Sequence, residues 1–192
     1  MPDRLPEFRL GSVLSTSFTA TLTERRGDPV ERIPTPQRLL DWLAVNGLPV
    51  GSCTTDEFTL ARQLREAIHA AATARASDHP LPPQAVRTIN DRTTQGRPAP
   101  VLTLDGRREW RLDGVTDALA VIAADAIGIL TGEREGRMAL CASPTCRAAF
   151  FDTSRSRSRR WCEMNTCGNR QKKARFLANQ RRTGGDTPAG DA

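Results

Sequence analysis

Tyrosine is absent from the chain, histidine occurs twice, and lysine is confined to one adjacent pair, Lys172 and Lys173, among 28 basic residues. So little histidine leaves few ways to build imidazole-based chemistry. His69 falls in a helical stretch and His79 in a loop before Pro80, neither with a metal-like partner nearby in sequence. Cys53 is a lone thiol with no paired histidine to make it a nucleophile. No phosphate-binding loop, hydrolase elbow or dinucleotide fingerprint is present, so no enzyme is expected. Long apolar runs are missing too. Nothing approaches the length of a membrane span, and residues 1–30 lack the apolar core of a secretory signal, which leads to the expectation of a cytoplasmic protein.

What is present suits a globular chain. Hydrophobic residues make up 38% and charged residues 26%, and 192 residues suffice for one ordinary domain plus a small module. Apart from the lysine pair the basic residues are arginine, whose planar fork suits bidentate contact with phosphate and guanine better than an ammonium does.

Four of the five cysteines lie in one stretch, as Cys141-x4-Cys146-x15-Cys162-x4-Cys167. Each close pair forms a tight turn that aims two sulfurs at one point, and the connector brings the second pair across to close a tetrahedron. Disulfides would need an oxidising compartment, and a redox pair usually has two intervening residues rather than four. Structural zinc fits best: all four positions are thiolate and none is left open for a catalytic water. An iron–sulfur cluster uses the same four donors, and spacing does not separate the two.

Charge is segregated onto the same stretch. Residues 1–130 carry a net −1, residues 131–182 a net +9, and the tail 183–192 a net −2. One basic cluster, Arg155, Arg157, Arg159 and Arg160, is interleaved with serines. The other, Arg170, Lys172, Lys173 and Arg175, would be spread by a helix over most of its circumference, with Arg181 and Arg182 at the end. A solvated basic face is the bland reading of such runs. Coupling to a closed metal site favours nucleic acid, with the serine–arginine loop on phosphate and the helix approaching a groove. Within the set, Arg170 and Asn169 also suit bracing of the metal turn.

The fold class expected is mainly α with a small β-hairpin in the N-terminal domain, followed by a C-terminal treble-clef-like zinc finger built on four cysteines. The expected divisions are 1–131, 137–182 and a disordered tail 183–192. Residues 1–35 read as irregular or weakly strand-forming. Thr35 and Pro36 open a helix with Leu39, Leu40 and Leu43 on one stripe. Thr54 and Glu57 form a capping box for a second helix running to about Ala74. A shorter third helix carries Val86 and Ile89. Asp105-Gly106 turns a hairpin with Trp110 as cross-strand anchor. The segment from Val115 to Leu130 is the most apolar and is expected to be the central helix, with dipole interaction explaining two of Asp113, Asp117 and Asp125. In the finger, strands are expected at Arg137–Leu140 and Ala148–Phe151, a small core of Phe150, Phe151 and Trp161, and a helix from about Gly168.

The run Phe151-Asp152-Thr153-Ser154-Arg155, then Arg159-Arg160-Trp161-Cys162, then Cys167-Gly168-Asn169-Arg170 with Lys172, resembles the CGNR zinc finger over about residues 137–178. That module is the C-terminal part of bacterial proteins whose N-terminal part is the ABATE domain, regarded as stress-induced transcription regulators. Leu64-Arg65-Glu66-Ala67 resembles the second helix of that domain. Ser15-Thr16-Ser17-Phe18-Thr19 departs from the motif that opens a helix in many relatives. The resemblance implies one structural Zn2+ on Cys141, Cys146, Cys162 and Cys167. It also implies a regulator acting on double-stranded DNA, with a ligand-sensing or self-associating N-terminal domain. The competing expectation is a zinc-stabilised protein-interaction or RNA-binding module.

Overall fold

The computed structural model describes residues 6–11 and 13–183, with side chains to 180. The expected tail from 184 onward, and the side chains of Arg181 and Arg182, lie outside the described residues. Five helices and two strand pairs precede the finger: α1 (Leu14–Thr19), β1 (Leu22–Thr23), β2 (Val30–Glu31), α2 (Pro36–Val45), α3 (Thr55–Ala76), α4 (Pro83–Gln95), β3 (Ala99–Leu102), β4 (Arg108–Arg111) and α5 (Val115–Leu130). The finger adds β5 (Arg137–Leu140), β6 (Ala149–Asp152), a π-helical turn Met164–Gly168 and α6 (Asn169–Thr183). Each sheet is a two-stranded antiparallel pair. None of the described helices is long and apolar enough to cross a membrane.

The helix starts follow local chemistry. Thr35 accepts a hydrogen bond from the backbone N–H of Arg38 with Pro36 at the first helical position, and Thr54 and Glu57 make a complete capping box. α5 is apolar on nearly every side and is accordingly central, packed by α1, α3 and α4. Gly96 lets the chain pass α5: a Cβ there would fall 2.7 Å from both the Cβ of Ala120 and the carbonyl of Thr116. In the β3–β4 hairpin Trp110 faces Pro100, and Gly106 turns the chain at φ +77°.

The N-terminal segment departs from the irregular reading. Ser15 to Thr19 form a buried helical turn although hydroxyl residues favour caps and turns over helix interiors. Tertiary contacts override that preference. Asp125 of α5 accepts from both the backbone N–H and the hydroxyl of Ser15, at 2.8 and 2.6 Å, and the ring of Phe18 lies 5.1 Å from that of Trp42. The remaining hydroxyls turn back onto the backbone, as in Ser17 and Thr16 donating to the Val13 carbonyl.

The helix-dipole account of the α5 carboxylates is also replaced in part. Asp125 anchors α1 and pairs with Arg134 at 2.7 Å. Asp117, in the first turn, takes the backbone N–H groups of Arg97 and Asp113. A buried guanidinium, Arg65 at 1% exposure, ties α3 to β2 through two hydrogen bonds to Glu31, at 2.7 and 2.8 Å. It also pairs with Glu66 at 2.9 Å.

The finger hairpin is not free of this bundle. β5 and β6 pack across α3, and β6 also meets α1, so that Met138, Ala149 and Phe151 belong to the same apolar cluster as the bundle's leucines and isoleucines. Gly136 makes the join close: its Cβ would lie 2.4 Å from two ring carbons of Phe151. The expected aromatic core of the finger is therefore divided. Phe151 serves the bundle, while Trp161 packs beside the cysteines.

Candidate metal centre

The four cysteines reach one point from four different local settings. Cys141 follows β5 and donates its backbone N–H to the Ala148 carbonyl at 2.9 Å. Cys146 ends a tight turn in which the Arg147 N–H bonds the Ser143 carbonyl at 3.2 Å. Cys162 lies in the connector, and Cys167 in the π-helical turn. Their sulfurs all lie within 4.8 Å of one another, with Cys146–Cys162 and Cys162–Cys167 each at 3.7 Å.

That spacing identifies the chemistry. A disulfide would need about 2.05 Å. A tetrahedron of sulfurs around zinc, with Zn–S of about 2.3 Å, has edges of about 3.8 Å. The crowding of the thiols shows in their ionisation. Hydrogen bonds from Cys141 and Cys162 pull the Cys146 thiol strongly down, whereas Cys162 is driven far up by its bonds to Cys141 and Cys146. Burial, then the charges of Cys146 and Cys141, push Cys167 up to about 11. Four thiolates this close repel one another until a divalent cation compensates them. The residues thus fit one Zn2+ with no position left for water, and the ion would hold the fold.

The residues around the ligands explain the motif letter by letter. Gly168 sits where a Cβ would meet the Met164 sulfur at 2.4 Å. Asn169 donates to the Asn165 carbonyl at 3.2 Å and braces the turn. Asp152, fully buried, accepts from the N–H groups of Ser154 and Arg159, both at 2.9 Å, and so shapes the serine–arginine loop. Arg170 reaches Glu24 at 2.7 Å, and the same carboxylate oxygen accepts from Thr145 at 2.6 Å. Arg26 adds a backbone bond to the Thr145 carbonyl at 3.0 Å. The turn after β1 therefore grips both the first knuckle and the start of α6. Glu24 carries no sequence signal for this role, because its partners lie more than a hundred residues away.

The other basic residues are placed differently. Arg155, Arg157 and Arg160 are exposed on the loop, with Arg160 stacked over Trp161 at 5.2 Å. Arg159 donates to the Cys162 carbonyl at 2.9 Å and lies 5.3 Å from the Phe150 ring centre. Lys172, Lys173 and Arg175 project from α6, whose residues 172–180 are exposed all round. Among the described residues these three make no ion pair. His69, read as an ordinary core or surface residue, is half-buried in α3. Burial, then the neighbouring Arg25, lowers its pKa to about 4. Cys53 stays a free thiol away from the cluster.

Fold and site together define a zinc-finger protein with a helical N-terminal part. The ABATE family model, described as "Putative stress-induced transcription regulator", matches residues 12–133, and the CGNR zinc finger model matches 137–180. The chain belongs to the ABATE family and carries a CGNR zinc finger. Both are regulatory or zinc-finger families rather than enzyme families. No individual curated protein matched it.

Proposed function

We propose that this protein is a cytoplasmic, nucleoid-associated transcription regulator that binds double-stranded DNA through its zinc module. The helical part, residues 1–131, would receive a small ligand or a second copy of the chain.

The observation that carries the reading is α6, a basic helix exposed around its whole circumference from residue 172 to 180 and fixed at one end by the zinc turn. A helix with no buried face gains little from tertiary packing, and a polyanion supplies what the fold does not. The contact set is Arg155 and Arg157 on the loop with Lys172, Lys173 and Arg175 on the helix. Arg159 and Arg160 stand at its edge, and Arg170 positions α6 through Glu24. With about six phosphates neutralised, the log–log salt slope is about −5.

Selection of duplexes from a random pool by the zinc-loaded protein, repeated after chelation, tests the reading. One enriched sequence that disappears with the metal supports it. Sequence-blind, weak retention refutes it. Phe176, 62% exposed on α6, favours a second reading, in which the helix meets an acidic protein or stacks on RNA bases. Preference for single strands with a shallow salt slope would select that reading.

A further inference from the structure

A cleft of about 390 Å³ opens beside the finger hairpin where it meets the end of α3. Its wall contains Arg137, Arg147, Arg159 and Arg160, together with Ala76, Ser77 and small or apolar residues of β5, and no acidic residue. Arg137 and Arg147 belong to neither of the basic clusters visible in the sequence.

Four arginines line one space whose wall holds no acidic side chain, and like charges brought this close repel one another. The Arg159 guanidinium is held by the Cys162 carbonyl and that of Arg160 lies over Trp161, which leaves Arg137 and Arg147, among the described residues, as the donors without a partner. Among the described residues, the side chains of Arg137, Arg147 and Arg160 donate to no protein acceptor. The Nε of Arg147 is buried without a partner, a donor whose desolvation costs free energy unless something accepts from it. Arg147 also holds φ at +46°, an uncommon conformation for this residue type, at the end of the Cys141–Cys146 turn. Arg160 is fixed beside it, because its carbonyl accepts from the Ala142 N–H at 2.7 Å. The carbonyls of the last turn of α3 at Ala74 and Arg75 are already taken by the N–H groups of Ser77, Asp78 and His79.

We propose that this cleft is a phosphodiester-binding subsite that seats a backbone phosphate of duplex DNA, with Arg137 and Arg147 as donors beyond the loop and helix contacts. The inference rests on the DNA-binding reading above. It extends the nucleic-acid surface from α6 across the knuckle to the end of α3. Fork-shaped guanidinium donors on a zinc-braced turn position the backbone, and sequence readout is left to other residues.

The test is duplex binding by the full zinc-loaded chain across a salt series, using the selected duplex. The unaltered protein is compared with R137Q/R147N and with K172A/K173A. Asparagine is chosen at 147 because it tolerates positive φ. Zinc content is measured for each variant. The expected result for R137Q/R147N is full zinc, affinity lower by about tenfold or more, and a slope less steep by about 2. Unchanged affinity and slope in that variant, while the unaltered protein binds and K172A/K173A is weakened, overturns the subsite and leaves the DNA reading standing. No duplex binding by the unaltered protein overturns the DNA reading itself. Calorimetry with inorganic phosphate separates a free-anion site. Saturable phosphate binding lost in R137Q/R147N without change in duplex affinity also overturns the proposal. Should R147N lose zinc, R137Q alone, at an exposed strand position, must still reduce the slope by about 1.

Discussion

Replacing Phe151 by alanine tests how far the finger hairpin is part of the helical core. The side chain is 5% exposed and clusters with the bundle's apolar residues rather than with the cysteines. Truncation of a buried phenylalanine costs about 3–5 kcal/mol, the larger values where the site cannot collapse. Here the ring is covered on one side by Gly136, which has no side chain to move into the space. The upper half of that range is therefore expected. With a urea dependence of about 2 kcal/mol per molar, the midpoint should fall by about 2 M. Helical circular dichroism should report that loss, because α1 and α3, on which β6 packs, are built into the shared helical core. Zinc release to a chromogenic chelator, followed in the same titration, should move with it. Phe176→Ala on the exposed face of α6 is the control and should change stability by about 0.5 kcal/mol or less. A helical transition unaltered by Phe151→Ala, with only zinc retention impaired, would refute the shared core.

Two further perturbations address the metal and pH. Cys162→Ser removes one of four donors and should release the zinc and disorder the π turn and α6, forfeiting a metal-binding free energy on the order of 10 kcal/mol, while α1 to α5 keep their circular dichroism. Full zinc and native finger resonances in that variant would disprove four-thiolate ligation. His69 titrates at about 4 in the folded chain, against 6.5 for the free side chain, so between those values the unfolded chain binds more protons. Stability from this group is thus intact above about pH 6.5, declines as the pH falls towards 4, and levels off below, by on the order of 3 kcal/mol in all. His69→Leu should flatten that part of the stability–pH curve, measured by urea unfolding. An unchanged slope would show that His69 is not the group responsible.

Much of this protein is legible in its residue order, because local chemistry decides it. Thr35–Pro36 and Thr54–Glu57 satisfy helix-end donors within one turn of themselves, so α2 and α3 start where those residues stand. The period of Val115–Leu130 makes α5 apolar on nearly all sides, and such a helix has nowhere to go but the centre. Two cysteine pairs at matched spacing mark the four sulfurs of one site, and the net +9 of residues 131–182 is additive whatever the fold.

What remained was decided by distance in sequence. Ser15–Thr19 has no helical preference of its own and becomes helical because Asp125, 110 residues away, meets its first turn. Phe151 reads as a finger residue until the hairpin is laid across α3 and α1. Arg170 suits bracing of the metal turn from its place in the motif, but its partner, Glu24, lies 146 positions earlier and is named only by the fold. Arg137 and Arg147 stand apart from the basic runs and converge with Arg159 and Arg160 only through the folded knuckle. Caps, periods and metal spacings act over a few residues and leave a mark in the order. Buried ion pairs and shared cores act across the whole chain, and only the packed structure brings their partners together.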